Sequence, residues 1–314
     1  MTLRPIRERS GTTEQDGRRR DRTPPPAPEP LPLPVVDDHT HLDIGDAEDR
    51  SVDDLLALAA ASGAPRAVQI GCDLPAARWT LELLDAQQPG EDGVLPLLGG
   101  VALHPNEAAR LDAAGLDAAL EEIAAMLDHP LVRVVGETGL DFFRTPPEGR
   151  AAQEESFRRH VDLAKRTGLA LQVHDRDAHD DVLRVLREEG APEVTVFHCF
   201  SGDVAMARVA GEQGWYCSFA GVLTFRNAQD LRDACAVVPQ ELLLVETDAP
   251  FLTPHPYRGR PNASYLLPHT VRAMAELRGD DLEQLCDALT RNAERAYGPW
   301  QAAPAGRPAV PGGR

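Results

Sequence analysis

The sequence contains almost no lysine. Lys165 is its one lysine, and with a formal net charge of −18 the chain lacks the clustered basic surface that broad duplex binding requires. Any protein contact to a phosphate must therefore come mainly from arginine, which can bind it bidentately, or from backbone N–H groups. The negative charge does not exclude a polyphosphate substrate, because bound divalent cations reverse the local field.

The sequence also lacks the features of membrane and secreted proteins. It has no run of about 18 apolar residues, and residues 1–23 contain no apolar stretch of the kind found in secretory signals. The five cysteines are odd in number and show no CxxC spacing, which favours reduced thiols over a disulfide framework. We therefore expect a cytoplasmic monomer that does not contact membranes.

Composition divides the chain into a central domain and two tails. Residues 1 to about 34 are rich in Arg, Pro and Glu and end in PPPAPEPLPLP, which is typical of a disordered segment with polyproline character. Residues 299–314 are rich in Pro, Gly and Ala, and we predict that they are disordered as well. Residues 35–298 remain, and barrels of the (β/α)₈ type use about 250 residues in one piece.

Strand-like and helix-like segments alternate through this central domain. The strand-like segments are short, apolar and rich in β-branched residues, as expected for buried parallel strands. Ser51 and Asp54 have the spacing of a helix-capping box. Eight strands with helices between them predict a (β/α)₈ TIM-type barrel. The predicted strands are 35–41, 67–71, 95–103, 132–137, 169–174, 194–198, 216–220 and 242–246.

Potential metal ligands stand at the ends of five of these strands. Histidine and carboxylates together bind Zn²⁺, Mn²⁺ or Fe²⁺, and carboxylates accept Mg²⁺. Because all strands of such a barrel run in parallel, their C-terminal ends meet at one face, where active sites lie. The sequence therefore predicts a metal site at that face. The six candidate ligands are His39, His41, Glu137, His174, His198 and Asp248.

Each candidate ligand taken alone has an ordinary structural explanation. A His-X-His pair is more often a turn or a surface pair than a metal site. Glu137 at a strand end could cap a helix, His174 could be a satisfied core histidine, and Asp248 could begin a turn. Cys199 follows His198, but neighbouring strand residues face opposite ways, so shared ligation is not expected. The occurrence of all six in register with the strand ends favours a metal site.

The motifs that carry these residues resemble a known family. VDDHTHLD, GETGLDFF, HDRDA, HCFSG and ETDAPFLTP occur in the order seen in the TatD-related metal-dependent hydrolases of the amidohydrolase superfamily. The resemblance implies a (β/α)₈ barrel with two divalent ions (Mg, Mn or Zn), and characterised members include DNases with 3′–5′ exonuclease activity. It implies that His39, His41 and Asp248 hold one ion, and that Glu137 bridges to a second held by His174 and His198.

Chemistry and position at the strand ends suggest catalytic and substrate-binding residues, and His104 also resembles part of a family motif. Asp248 is the candidate general base for an activated water, with Glu137 as the second catalytic residue. His104 in the LHPNEA motif, Arg176 after His174 and Arg226 after the seventh strand are candidate phosphate contacts. A helix-start turn for His104 and a structural ion pair for Arg176 are the alternatives.

Further candidates lie near the same face. Asp177 could orient a histidine through its second nitrogen, and Phe225 could stack on a base or anchor its loop.

Three functions are compatible with this pattern. The first is a deoxyribonuclease, with single-stranded DNA or 3′ ends as the substrate. The second is an ester or amide hydrolase of the same fold, acting for example on aminoacyl-tRNA or a small molecule. The third is a metal-binding interaction protein without turnover. Ala263 and Ser264 replace the Glu-Pro that the family often has in the RGKRNEP loop, which leaves the substrate open.

Overall fold

A computed structural model of the protein describes residues 3–9, 20–46, 50–90 and 93–300. Within these residues eight parallel strands form one sheet, and their order in the sheet follows their order in the chain. The predicted (β/α)₈ fold is confirmed. The strands are β1 (Val36–Thr40), β2 (Arg66–Gly71), β3 (Leu97–Val101), β4 (Val132–Asp141), β5 (Ala170–Arg176), β6 (Thr195–Phe197), β7 (Tyr216–Phe219) and β8 (Leu243–Val245).

Helices follow the strands and cover the outside of the barrel. The capping box predicted at Ser51 is present, since its side chain accepts the Asp54 N–H and the Asp54 carboxylate accepts the Ser51 N–H. The helices are Val52–Ala61, Leu74–Ala86, Pro105–Ala108, Ala113–Met126, Pro147–Thr167, His179–Glu189, Val204–Gln213, Gln229–Val237, Leu267–Arg278 and Leu282–Tyr297. No helix in the described ranges is long and apolar enough to cross a bilayer.

Burial on both faces explains the apolar character of the strands. All five residues of β3 and all three of β6 and of β8 are buried. One side of each strand packs inside the barrel and the other packs under the helices, so neither side can be polar without a partner. The sequence shows this as near-continuous apolar runs rather than an alternating pattern.

The barrel closes at a seam between β1 and β8, where backbone pairing is sparse. Thr40 and Ala249 form an isolated parallel bridge. The His41 N–H donates to the Ala249 carbonyl at 2.8 Å, and the Asp248 N–H donates to the His39 carbonyl at 3.0 Å. The residues that make these bonds are three of the six candidate ligands and their neighbours. The seam therefore brings ligands from the first and the last strand together.

A buried aspartate strengthens the seam. One carboxylate oxygen of Asp37 accepts the Thr247 N–H at 2.8 Å, and the other accepts the Thr247 hydroxyl at 2.6 Å. Burial raises the pKa of Asp37 to about 7, and the nearby hydroxyl of Ser264 and the hydrogen bonds from Thr247 oppose that rise. A side chain thus supplies bonds that the backbone of these two strands does not make.

Two strands extend farther than the sequence indicated. We predicted ends at residues 137 and 174, but β4 continues to Asp141 and β5 to Arg176. After a register shift between Val135 and Thr138, the two strands continue to pair with each other, up to Asp141 beside Arg176. Glu137 and His174 therefore lie within strands rather than at their last residues. The paired ends of β4 and β5 extend beyond them on the C-terminal side.

The segment before the barrel differs from our expectation of disorder. In its described part, residues 3–9 and 20–34, which we call the N-terminal arm, the chain packs against the barrel. Arg7–Glu8 form a short parallel strand with Ile44–Gly45, and Arg20 and Leu31 are buried. Composition predicted disorder because the arm has few apolar residues, but its contacts are mainly hydrogen bonds and ion pairs. The predicted C-terminal tail lies outside the described residues from 301 onward.

Candidate metal centre

Four of the six predicted ligands form one compact group of donor atoms beside the seam. His39 Nε2 lies 3.2 Å from His41 Nε2 and 3.6 Å from Glu137 Oε1. His41 Nε2 lies 3.5 Å from the same Glu137 oxygen and 3.4 Å from Asp248 Oδ1. The fifth distance, His39 Nε2 to Asp248 Oδ1, is 3.9 Å. We call this group the first metal position.

These separations fit a metal ion better than a hydrogen-bonded cluster. Four donors placed tetrahedrally about 2.1 Å from an ion lie about 3.4 Å from one another. Hydrogen bonds between nitrogen and oxygen are instead commonest at about 2.9 Å, and all five distances at the first position are longer. The donor set therefore fits a divalent cation in both chemistry and spacing.

The other two predicted ligands meet the second oxygen of Glu137. His174 Nδ1 lies 2.8 Å and His198 Nε2 lies 3.0 Å from Glu137 Oε2. The rings of His39 and His198 stack with their centroids 3.7 Å apart, so the two groups are in contact. Glu137 thus faces one group with each oxygen, as a bridging carboxylate would. We call this second group the second metal position.

Hydrogen bonds behind three of the imidazoles determine which nitrogen faces the centre. His39 Nδ1 lies 2.8 Å from the Gln172 amide oxygen, and His41 Nδ1 lies 3.0 Å from the Ile70 carbonyl. His198 Nδ1 lies 2.9 Å from Glu246 Oε1. Each of these partners can only accept a hydrogen bond. In the neutral ring, which is the form that binds a metal, each Nδ1 therefore carries the proton and each Nε2 presents a lone pair to the centre.

This arrangement gives a physical reason for a cation at the first position. When both rings are neutral, the lone pairs of His39 Nε2 and His41 Nε2 face each other at 3.2 Å. Two acceptors at this distance repel each other, and a positive charge between them removes the repulsion. The other nitrogen of His174, Nε2, does not face Glu137; it is buried, makes no hydrogen bond and lies 3.5 Å from Asp141 Oδ2.

Glu137 is ionised in this environment. Burial by itself would raise the pKa of its carboxyl group, but the imidazoles around it, those of His198, His104 and His174, hold the pKa well below its usual value. Glu137 is 4% exposed, so its charge is compensated almost entirely by these imidazoles or by a bound ion.

The hydrogen bond behind His39 continues into a buried polar network. The Gln172 amide group donates to the Asp38 carbonyl and lies 2.9 Å from the Tyr297 hydroxyl. Asp38 accepts hydrogen bonds from the hydroxyls of Tyr297 and Ser218. Burial and the nearby charge of Glu246 raise the pKa of Asp38 well above its usual value. Through Gln172, this network fixes the orientation of the His39 ring.

His104 lies at the same face but its nitrogen atoms are arranged differently. Its Nδ1 accepts the Asn106 N–H at 3.0 Å, so the proton of the neutral ring is on Nε2. That Nε2 lies 3.8 Å from Glu137 Oε2, and the ring lies edge-on to His174 at 4.5 Å. Burial lowers the pKa of His104 to about 3, against the opposing charge of Glu137, so the ring is neutral. His104 therefore offers an N–H donor toward the centre rather than a lone pair.

The two predicted arginine contacts differ in position. The Arg176 guanidinium stacks over the ring of Phe143 at 4.0 Å, and Phe143 is 60% exposed beside the mouth. No carboxylate partner of Arg176 occurs among the residues that the structure describes. Arg226 is exposed after a short 3₁₀ turn and is not brought into the cluster. Phe225 is 9% exposed, and Arg258 covers its ring at 4.4 Å, as expected of a loop anchor.

The sequence analysis missed several residues around the centre. Glu246 and Gln172 orient ligands, Asp141 Oδ2 lies 3.5 Å from His174 Nε2, and Cys72 Sγ lies 3.2 Å from Glu137 Oε1. Glu246 and Gln172 each stand two residues before a predicted ligand, and the period of a strand places such residues on the same side. That spacing was the available signal. Asp177, predicted to orient a histidine, is exposed and has a positive φ of 55°.

Taken together, the barrel and its cluster of histidines and carboxylates are those of a metal-dependent hydrolase. The family model described as TatD related DNase matches residues 36–298, and the chain belongs to this family. The match spans all eight strands and all six predicted ligands. It begins at the first strand of the barrel, so the N-terminal arm lies outside it.

Individual relatives agree with this assignment. The chain is 45% identical over 269 residues to the metal-dependent hydrolase TatD of Mycobacterium tuberculosis, covering 84% of this chain and 98% of the relative. It is 36% identical over 266 residues to the metal-dependent hydrolase YcfH of Escherichia coli, covering 84% and 95%. The crystal structure of YjjV, a TatD homolog from Escherichia coli, superposes with a TM-score of 0.74 at 26% identity, covering 84% and 97%.

Proposed function

We propose that this protein is a two-metal phosphodiesterase that removes nucleotides from the 3′ ends of single-stranded DNA. The proposal depends on which groups border the metal centre. The His104 Nε2–H points toward the centre, and the guanidinium of Arg176, two residues after His174, stacks on Phe143 without a carboxylate partner in the described part of the chain. A neutral N–H donor and an unpaired guanidinium are suited to an anionic phosphate more than to an uncharged ester.

The family assignment supports a nucleic-acid substrate, since the matching model is described as a DNase. The exposed ring of Phe143 beside Arg176 supports a substrate with unpaired bases, because bases stack on aromatic side chains. The strongly negative charge of the chain also favours attack at an end held by local contacts over binding along a duplex.

The proposed reaction needs residues that bind the metal ions and a residue that accepts a proton from water. His39, His41, Asp248 and Glu137 would hold one divalent ion, and Glu137, His174 and His198 would hold the other. When bound, such ions supply Lewis-acid stabilisation of phosphate oxygens and make a water acidic enough to lose a proton near neutral pH. Asp248 accepts that proton as the water attacks phosphorus, and the bond to the leaving 3′ oxygen breaks.

Other residues act on the substrate or on the ligands. His104 and Arg176 donate to the non-bridging phosphate oxygens, on which charge grows during attack. Gln172 and Glu246 hold the rings of His39 and His198 with Nε2 facing the centre. The set of donors does not select a single metal, although the thiol of Cys72 beside Glu137 adds a soft group that Zn²⁺ prefers over Mg²⁺.

Metal removal and add-back tests the proposal. We expect the chelated protein to be inactive, and we expect Mg²⁺, Mn²⁺ or Zn²⁺ added singly to restore cleavage of single-stranded oligonucleotides. An oligonucleotide labelled at the 3′ end should release labelled mononucleotide at once, whereas one labelled at the 5′ end should give a ladder of shortening products. The rate should fall as salt is added, because binding involves phosphate contacts.

An ester substrate assayed in parallel separates the alternatives. Hydrolysis of the ester with the oligonucleotides left intact would contradict the nuclease proposal and support an ester hydrolase. Metal-loaded protein that is inert toward phosphodiesters, esters and amides would contradict both and support a binding role.

Replacing His104 tests the N–H donor. We expect His104→Ala to lower kcat/KM on an oligonucleotide by about 10²-fold, as for loss of one donor to a developing oxyanion, with two ions still bound. His104→Gln, which keeps an N–H donor, should recover part of the loss. His129→Ala is a matched control, because His129 Nδ1 also accepts a backbone N–H two residues on, from Leu131, far from the centre. Loss of metal in His104→Ala would instead assign His104 as a ligand.

A further inference from the structure

The N-terminal arm reaches the metal centre although it lies outside the family match, which begins at residue 36. Pro5 and Pro24 of the arm line the same cavity as His41, Ala249 and Pro250 of the barrel. The arm therefore covers the side of the centre that carries the seam between β1 and β8. A residue in this arm can act on the ligands without being part of the family domain.

Arg9 makes the contacts nearest to the ligands. Its Nη1 donates to the Pro250 carbonyl at 2.7 Å, two residues after Asp248, and lies 3.1 Å from Asp46 Oδ2. Its guanidinium lies 5.1 Å from the ring centroid of Phe251, and that ring lies edge-on to His41 at 6.1 Å. The Pro250 carbonyl thus connects Arg9 to the segment that carries Asp248. The Phe251 ring lies between Arg9 and His41.

Two carboxylates, one on each side of the seam, stabilise the positive charge of Arg9. Burial lowers the pKa of Arg9, and the carboxylates of Asp46 and Asp248 oppose that shift. Asp46 belongs to the loop that follows His41, whereas Asp248 precedes the loop on the other side of the seam. The guanidinium thus interacts electrostatically with both loops.

A second arginine of the arm completes this cluster. Arg20 is 8% exposed, pairs with Asp46 through Nη2, and donates from Nε to the Gly259 carbonyl at 2.7 Å. One buried carboxylate is therefore shared by two guanidinium groups from separate parts of the arm. Two arginines bound to one buried carboxylate hold the arm firmly, because unpaired buried charges are costly.

We propose that Arg9, anchored through Asp46 and Arg20, is a positioning residue that sets the affinity of the first metal position. Arg9 joins the loop after His41 to the loop after Asp248, which belong to the two strands at the sparsely paired seam. Two backbone hydrogen bonds cross the seam beside these ligands, and contacts between the loops add to them in fixing the 3.4 Å separation of His41 and Asp248. Arg9 supplies such a contact on the arm side.

The test is a metal titration of the full-length, metal-free protein, and it is independent of the substrate. Mn²⁺ and Zn²⁺ binding are measured by calorimetry for the unchanged protein and for Arg9→Ala. We expect one of the two ions to bind about 10- to 100-fold more weakly, the effect typical of groups that orient a ligand, and the other to be unaffected. Arg9→Lys keeps the charge beside Asp46 and should recover part of the affinity. Arg22→Ala is the control, because Arg22 is in the same arm and its ion pair among the described residues is with exposed Glu8.

The affected ion is assigned with a second substitution. In protein that carries His198→Ala, which retains the complete first position, Arg9→Ala should weaken the remaining ion by the same factor. Unchanged affinity for both ions, with only a lower Tm, would make the arm a packing element and overturn the proposal. Equal weakening of both ions would also overturn it, since that result indicates general loosening of the barrel.

Discussion

Asp248→Asn is expected to lower kcat on an oligonucleotide by about 10²- to 10⁴-fold, the usual contribution of a general base. Asparagine keeps an oxygen that can face His41 and His39, as Asp248 Oδ1 does at 3.4 and 3.9 Å. It cannot accept a proton from the attacking water. Initial rates with saturating substrate and metal, together with circular dichroism of the purified variant, measure the effect on chemistry apart from folding.

The chain offers a matched control for this substitution. Asp177 also follows a strand at the mouth of the barrel, and its φ of 55° is close to the 49° of Asp248. Asp177→Asn therefore makes the same chemical change at the same kind of left-handed backbone position, but Asp177 is exposed and contacts none of the six candidate ligands. Near-normal turnover in Asp248→Asn, or equal losses in both variants, would remove Asp248 from the role of base.

Glu137→Gln is expected to reduce the metal content from two ions to one and to lower activity by more than about 10²-fold. One oxygen of Glu137 faces His39 and His41, and the other faces His174 and His198. A glutamine presents an oxygen to only one of these groups and an amide NH₂ to the other, where it cannot bind a cation. The loss should exceed the 10- to 100-fold typical of residues that only orient ligands.

Metal analysis by mass spectrometry after dialysis, combined with activity, checks this expectation. Glu155→Gln makes the same change at an exposed helical position and should alter neither quantity. Two ions per chain in Glu137→Gln would show that the carboxylate does not bridge. One ion with full activity would show that the second position is not needed for the reaction.

The positions of the six candidate ligands could be predicted because they depend on a general property of the fold. Short apolar runs identify parallel strands, and parallel strands place their C-terminal ends at one face. His39 and His41 could also be assigned to one side of a strand by their spacing, and their Nε2 atoms lie 3.2 Å apart. None of this requires knowledge of which helix packs where.

The groups behind the ligands were harder to predict, because their roles depend on contacts between distant strands. Glu246 lies 48 residues after His198, and Gln172 lies 133 residues after His39. Glutamate and glutamine in a strand could equally face solvent or pair with an arginine. Asp177, which we expected could orient a histidine, is exposed instead, and its residue type and spacing do not reveal this.

The arm shows the limit of composition as a guide to order. Proline and arginine lower the predicted tendency to fold, but the carbonyl groups of an extended proline-rich segment remain free to accept hydrogen bonds. Tyr265, Arg272 and Thr290 of the barrel region donate to carbonyls of Pro25, Pro30 and Pro34. Sequence alone does not locate these donors.

The seam of the barrel also bears on how the protein matures during synthesis. Asp37, made early, finds its partner Thr247 only 210 residues later, and Asp248 is made after that. A nascent chain that still lacks the eighth strand has two histidines and a buried acid but no fourth donor for the first ion. We therefore expect the full donor set of the first position to form only after nearly complete translation, because contacts this distant along the chain make barrel closure a late event.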